Sequence, residues 1–383
     1  MRPVSPRWGA TLARSHGYVS AVTSWLGGKS LGAVPITAGQ LTYDVTARGR
    51  RRCQLTVPLR ADGRTWDPGT DPAHPLASFG QRLQIAAGIV HPGGDREMIP
   101  QGWYLITDTA TDESAGTVTV TGSDLYQLMD ESRVVGNPYG GFGPESSYAD
   151  VVDHLTYVCL KNWWITDPQI LPYRITGGLT DRQLAAYLEI PEQADRSDPL
   201  AVLCDSWPAQ AAVNDAGELE ISPPVTAPAA TAVAVIAGDT RTGTLVSRGR
   251  QQARQRVYNA TYTVGTDPGT GAVRATGRAE RTTGPLSITG PYGWVSRWYS
   301  SPLLATNGQA QRTAETLLAR GTLYARTESV TAVPDPSLEL QDTVDVITTA
   351  GGRFRGLVSA ITLPLTASGP MTLSVTTDTG APA

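Results

Sequence analysis

Short runs in this chain raise several kinds of chemistry, and each fails on residue type or spacing. Gly28-Lys29-Ser30 has the ending of a phosphate-binding loop, where backbone N–H groups cradle phosphate and a lysine reaches it. The leading glycine of such a loop would stand at position 23, which is Thr23. The run also sits between predicted strands rather than before a helix, so it reads as a turn. The four histidines, His16, His74, His91 and His154, fall in separate elements. His154 lies on a predicted helix with Asp150 one turn before it and Asp153 adjacent, the ordinary setting of a surface histidine near an acid. Glu218/Glu220 and Asp112/Glu113 pair carboxylates. Yet Glu218 and Glu220 share one face of a short strand, whereas glycosidase acids flank a cleft about 5–10 Å apart. They read as solvated faces. No G-x-S-x-G, H-E-x-x-H or glycine-rich dinucleotide fingerprint is present. Cys53, Cys159 and Cys204 form no C-x-x-C and no zinc spacing, and read as reduced, mostly buried thiols. No catalytic residue, metal or cofactor is expected, and the protein is read as a non-enzyme.

What remains is aromatic. Trp163-Trp164 and the group Tyr292, Trp294, Trp298 and Tyr299 can stack on sugars, anchor a protein interface, or simply fill a core. As a cluster in a segment rich in Gly and Pro, 286–302 is the main interface candidate.

The elements that position these residues are mostly strands. A chain of 383 residues exceeds one ordinary core; at about 100–200 residues per domain it suggests roughly two to four units. Thr, Val and aromatic residues recur in short runs broken by Gly, Pro and Asp, as in a β-rich protein with many turns. The net charge is −4, and no dense Lys/Arg block offers the footprint of a nucleic-acid binder. All but two of the 31 basic residues are arginine, the exceptions being Lys29 and Lys161, which reflects a GC-rich genome. No run of roughly 18 apolar residues predicts a membrane span. The first residues lack the apolar centre of a secretory signal, so a protein made and used in soluble form is expected.

Strands are predicted over 18–25, 41–45, 52–57, 82–90, 102–109 and 117–121, with turns around Gly27-Gly28 and Pro92-Gly93-Gly94-Asp95. After the break at 136–143, Ser147-x-x-Asp150 opens a helix with Val151, Leu155 and Val158 on one face. Thr180 and Gln183 open a second helix carrying Leu184 and Leu188. Asp198-Pro199 supplies N-cap and first position of a third, carrying Leu203 and Trp207. Residues 209–213 and 218–221 form a hairpin around Asn214-Asp215-Ala216-Gly217. A proline-rich linker follows at 222–228. A second β region has strands at 256–264, 343–347, 356–363 and 371–376. A helix starting at Thr306/Asn307 runs to Gly321 through Ala310, Ala314, Leu317 and Leu318. The two β regions look alike. Gly102-Trp103-Tyr104-Leu105-Ile106 leads into 117–121 much as Gly356-Leu357-Val358 leads into 371–376, which suggests an internal duplication.

Several stretches in order resemble one family, the baseplate-hub or tail-hub proteins of tailed phages, in the form of minor tail proteins of actinobacterial siphophages. The resemblance lies in Ala38-Gly39-Gln40-Leu41-Thr42-Tyr43-Asp44, the Arg-rich turn and 53–58, 102–107 with 118–125, and Val257-Tyr258-Asn259-Ala260. It continues in Gly290-Pro291-Tyr292-Gly293, Tyr299-Ser300-Ser301-Pro302-Leu303-Leu304, and Pro336-x-Leu338-Glu339-x-x-Asp342-x-Val344. It implies a mainly β fold with α+β insertions: two tail-tube-like β-barrel domains plus two smaller insertion domains. The expected division is a first barrel at 1–135, an α+β insertion and linker at 136–235, a second barrel at 236–265 with 327–383, and a small insertion at 266–326. It further implies a homotrimer whose six barrels form a pseudo-sixfold ring at the tail tip. That ring would join the tail tube or distal tail protein to the central fibre, contact the tape measure protein and other minor tail proteins, and pass DNA during ejection. Obligate contacts of this kind bury on the order of 2,000 Å² or more. The expected location is the virion, after synthesis in the host cytoplasm. Many hub proteins continue into a lytic or receptor-binding extension; here a fibre or lytic enzyme is expected to be a separate polypeptide. The rival functions are a carbohydrate-binding tail-tip adhesin and a tail-associated cell-wall hydrolase.

Overall fold

Runs in which a buried side chain alternates with an exposed one build the framework of the molecule. The structure is a computed structural model that describes residues 1–133, 141–158, 171–191, 193–238, 243–252, 254, 257–323, 325–367 and 369–377. Among these, thirteen strands form one sheet. From one edge its order is Leu245–Gln252, Arg326–Ala332, Met371–Thr376, Arg353–Pro364, then Ala38–Asp44 and Arg51–Pro58. It continues through Thr117–Asp124, Arg96–Asp112, Arg82–Val90 and Gly17–Leu26 to Lys29–Ala33. Thr343–Ile347 branches from Arg353–Pro364 and pairs in parallel with Ala234–Ala237.

The two β regions repeat one topology. In the first, Ala38–Asp44, Arg51–Pro58, Thr117–Asp124, Arg96–Asp112 and Arg82–Val90 are neighbours in that order, all antiparallel. In the second, Leu245–Gln252, Arg326–Ala332, Met371–Thr376, Arg353–Pro364 and Thr343–Ile347 follow the same order, again antiparallel. Both long strands carry a bulge at one matching point, between Ile106 and Asp108 and between Val358 and Ala360. The inward faces agree as well: Cys53, Leu55 and Val57 are buried, and so are Glu328, Val330 and Ala332.

The bulge corrects the alignment read from the sequence. Gly102 and Gly356 open the two similar runs, but the bulge places Ile106 with Val358, so Gly356 corresponds to Tyr104. The two alignments differ by two residues, which leaves each side chain on its own face, so it is the shared bulge and the strand opposite it that fix the correspondence. The two glycines answer different needs. Gly102 has φ +108°, a region that disfavours other residues. At Gly356 a Cβ would lie 2.5 Å from the Thr376 carbonyl oxygen.

One core serves both repeats. Ala360 to Pro364 pair with Asp44 to Gln40, which puts Leu363 opposite Leu41 and Ile361 opposite Tyr43. All four are buried in a cluster that runs from Leu55, Ile85 and Val120 to Val330, Val346 and Leu373.

A smaller α+β unit follows the first repeat. Tyr148–Val158 starts with a reciprocal capping box: Ser147 N–H donates to Asp150 (2.7 Å) and Asp150 N–H to the Ser147 hydroxyl (3.2 Å). Val151 and Leu155 are buried as expected, and the Val158 side chain lies outside the described residues. Three corrections apply nearby. No helix opens at Thr180: Leu184, Ala186, Leu188 and Ile190 are buried at every second position, and Leu188–Glu189 is a strand paired with Gly141–Phe142. Burial with a period of two overrode the helix propensity of Leu and Ala. The third helix is Ser197–Ser206, so Asp198 sits inside its first turn and makes an ion pair with Arg48 (2.7 Å) instead of capping. In the first repeat, Lys29 and Ser30 begin a strand, and only Gly27-Gly28 form the turn. The hairpin Gln210–Val213 with Leu219–Ser222 forms as read, and Tyr173–Ile175 joins it in parallel.

The strand read at 256–264 is found at Ala260–Thr266, and it does not join the large sheet. It pairs with Val273–Glu280 and, in parallel, with Ser296–Ser301, under the helix Asn307–Leu323. The unit around that helix therefore begins before residue 266.

Candidate interface

The aromatic run splits by position. On Ser296–Ser301, alternation turns Trp298 outward and Tyr299 inward, where it packs against Ala275, Leu304 and Ala310. Burial pushes the Tyr299 hydroxyl up to about 12. Tyr292 also serves packing: it lies against Val257, Leu286 and Ala325, its hydroxyl donates to the Val257 carbonyl (2.9 Å), and the Arg254 guanidinium covers its ring at 4.6 Å. Trp294 and Trp298 are 59% and 68% exposed. Trp163 and Trp164 lie outside the described residues.

A residue not singled out in the sequence completes the exposed group. Tyr262 is paired in register with Trp298 on one side and Arg278 on the other. Its ring stacks on Trp298, with centroids 4.8 Å apart and planes 24° apart, and Trp294 lies 6.5 Å away. The Tyr262 hydroxyl donates to Glu280 (2.6 Å), Arg278 lies 5.7 Å from its ring, and Arg278 and Glu280 form an ion pair at 2.7 Å. The result is a flat aromatic face with a charged rim. Such a face takes up a planar apolar surface, whether a sugar ring or a partner's side chains. The pairing of Tyr262 with Trp298 is parallel and distant in sequence, so no local spacing announces it.

The candidate chemical groups are tied into structure. Glu218 and Glu220 both face Arg174, and Glu220 also accepts from Thr176 (2.9 Å). Asp112 closes a turn by accepting from Ser114 (2.6 Å) and Ala115 N–H (2.9 Å). His154 meets Phe142 edge to face at 5.2 Å. A hydroxyl–imidazole–carboxylate chain does exist: Thr11 Oγ1 lies 2.8 Å from His91 Nδ1, and His91 Nε2 lies 2.7 Å from Glu97. Thr11 and His91 are buried, the Thr11 hydroxyl also reaches the Arg7 carbonyl, and Glu97 holds Ser5. The chain fastens the N-terminal segment to the sheet. Cys53 and Cys204 are buried free thiols, pushed up to about 12 by burial, and Cys159 lies outside the described residues.

Two charge networks hold the surrounding architecture. Asp215, in the turn of the α+β hairpin, receives Arg2 through two hydrogen bonds (2.6 and 3.0 Å) and Arg51 through a short one. Arg2 also donates to the carbonyls of Leu338 (2.8 Å) and Pro336 (3.1 Å), and Gln101 joins Pro336 to the Tyr43 hydroxyl. Trp8 Nε1 adds a bond to Asp335 (3.0 Å). One carboxylate thus connects both repeats, the α+β unit and the N-terminal segment.

The second network surrounds Glu328, fully buried on the inward face where the first repeat has Cys53. Arg248, Arg250 and Arg326 donate to it at 2.8–3.1 Å. Burial would raise its carboxyl, but these bonds outweigh that and hold it below the ordinary range. A depressed value stabilises the fold above the unfolded-chain value of about 4.5, and that contribution is lost as pH falls through the folded value. Glu328→Gln is expected to cost about 2 kcal/mol at pH 7, less than a fully enclosed pair because Arg250 can rehydrate. Denaturant titrations from pH 7 to 3 should show a smaller acid-side loss in the variant than in the wild type.

No protein-family model and no curated protein matches the sequence. Solved structures do. A tail protein from Neisseria meningitidis MC58 superposes with TM-score 0.62 at 14% identity, over 94% of this chain and 97% of that one. The fold is that of phage tail proteins. The 43 kDa tail protein of prophage MuSo2 from Shewanella oneidensis gives 0.57 at 14% identity, over 93% and 98%. Prophage tail protein gp18 from Listeria monocytogenes EGD-e gives 0.55 at 8% identity, over 94% and 95%.

Proposed function

We propose that the protein is a structural hub at a phage tail tip, a homotrimer whose six tube-like repeats form a pseudo-sixfold ring. The observation that carries this reading is the repeated strand order threaded through one sheet and one core, in a fold shared end to end with phage tail proteins. Two similar units fixed in one chain let three copies present six similar surfaces to a sixfold tube while keeping threefold symmetry below. In this reading residues 1–135 and 236–252 with 327–383 are the two barrel domains, and 136–235 and 257–326 are the insertions. The partners are the distal tail protein or tail tube, the tape measure protein and a central fibre, with DNA passing through the ring at ejection. Mass measurement of the purified chain with negative-stain imaging tests it. A threefold mass and a ring with a central opening are expected; a stable monomer, even beside tail-tube subunits, would overturn it.

The exposed face of Trp294, Tyr262 and Trp298 favours a second reading, a tail-tip adhesin that stacks on sugars. Trp298→Ala removes a solvent-facing ring and should change stability by no more than about 1 kcal/mol. Under the adhesin reading the same change abolishes binding to host cell-wall glycans, followed by tryptophan fluorescence. Under the hub reading it leaves glycan binding absent in both proteins and weakens association with tail partners.

A further inference from the structure

Among the lengths of strand in the large sheet that have a neighbour on one side only, in the described residues, two occupy matching places in the repeats. Leu245–Gln252 ends the sheet and pairs only with Arg326–Ala332. Arg96–Asp112 outruns the strand on one flank: its ladder with Arg82–Val90 stops at Leu105, and Ile106 N–H donates to the Gln81 carbonyl. Beyond that point the backbone of residues 107–112 has a ladder only with Thr117–Asp124, while the Thr109 and Thr111 hydroxyls donate to the Leu76 carbonyl (2.8 Å) and to Asp67 (2.9 Å). Five of those six are exposed. Edges of this kind present unpaired N–H and C=O groups that another strand can satisfy.

Within the chain the equivalent lengths pair with each other. The shared bulge sets Asp108 to Asp112 in correspondence with Ala360 to Pro364. On the other side, Gln54 and Ser329 occupy matching places opposite Thr121 and Ser374, so Gln40, Leu41, Thr42 and Tyr43 correspond to Gly249, Arg250, Gln251 and Gln252. The internal joint is Ala360 to Pro364 against Asp44 to Gln40. Each chain therefore carries one joint already closed and the two halves of a second one left open.

We propose that residues 109–112 of one copy pair antiparallel with residues 249–252 of a second copy, repeating between chains the joint made within each chain. The register is Thr109 with Gln252, Ala110 with Gln251, Thr111 with Arg250 and Asp112 with Gly249. This rests on the trimeric reading above and names the surfaces that close it. The contact joins two different patches, so it propagates head to tail and is satisfied everywhere only in a closed ring.

Charge agrees with the pairing. Arg248, Arg250 and Arg326 share the single carboxylate Glu328, which leaves positive charge on the Leu245–Gln252 edge. The opposing edge carries Asp108 and Asp112 and ends at Glu113, which the register sets opposite Arg248. Opposite charges across a strand pair add roughly 0.2–1 kcal/mol each. Where the internal joint buries Leu41 against Leu363, the joint between chains sets Arg250 against Thr111. It lacks an apolar seal, depends on the backbone ladder and on charge, and should weaken as salt rises.

The test is a full-length chain with Ala110→Cys and Gln251→Cys, both at exposed positions, oxidised at a concentration where the wild type assembles. Directly opposed strand residues come close enough for a disulfide. The expected product is a covalent ring of three chains on denaturing gels, absent from the wild type and from each single variant. A control that shifts the register, Ala110→Cys with Gly249→Cys, should cross-link far less. Trimers by mass without the Ala110–Gln251 cross-link would overturn the pairing and leave the hub reading standing. Absence of assembly in the wild type would overturn both.

Discussion

Asp215→Ala is expected to destabilise the protein by about 3–5 kcal/mol, read as a lowered urea midpoint at unchanged slope. The side chain balances Arg2 and Arg51, both largely buried. Burial would raise the Asp215 carboxyl, yet the bonds from the two guanidinium groups hold it below the ordinary range. Removing it leaves two enclosed cations sharing the space beside Gly102. Asp215→Asn should recover little, because an amide offers one acceptor and no charge to two donors. Arg2→Ala should cost less than Asp215→Ala, since Asp215 keeps Arg51 and the lost contacts to Pro336 and Leu338 are carbonyls that water can reach from the vacated channel. Hydrogen exchange should show faster opening of the Gln210–Val213 hairpin in the Asp215 variant. Equal stability of variant and wild type would show that the network is decorative.

Leu41→Ala is expected to cost about 3–4 kcal/mol through lost burial and the cavity left behind. Leu41 has no exposed surface and stands opposite Leu363 at the joint between the repeats. The loss should appear in both halves of the molecule at once, as one cooperative transition by tryptophan fluorescence and circular dichroism. Two separate transitions would show that the repeats fold independently and that the shared core is nominal. Val246→Ala, on the outer edge and 63% exposed, serves as the control and should change stability by no more than about 0.5 kcal/mol.

Local features of the sequence were legible. The alternation in 52–57 and the period of two at Val118 and Val120 named the strands Arg51–Pro58 and Thr117–Asp124, and the capping box at Ser147 and Asp150 named its helix. The similarity of the two β regions was visible too, though its register was not, because the bulge that sets it exists only once the neighbouring strand has paired. What depends on pairing between distant segments escaped. Nothing local reveals that Leu363 finds Leu41, that Tyr262 finds Trp298, or that Asp215 finds Arg2. The same gap explains the misread segment near Thr180, where Leu and Ala suit a helix and tertiary burial chose extended chain. Of the four aromatics singled out in the described residues, the sequence could not separate Trp294 and Trp298, which face outward, from Tyr292 and Tyr299, which fill cores.

The joint between Ala38–Asp44 and Arg353–Pro364 has a consequence for how the chain is made. The ribosome delivers the first partner more than 300 residues before the second. At about 5–20 residues per second, the earlier strand waits on the order of tens of seconds with one side open. The segment around Arg2 and Trp8 waits similarly for residues 335–338. On a crowded polysome, the late strand of one nascent chain can meet the early strand of its neighbour before its own, and the product is an exchanged dimer rather than a finished monomer. Slower initiation, which spaces the ribosomes apart, should therefore raise the yield of correctly closed chains.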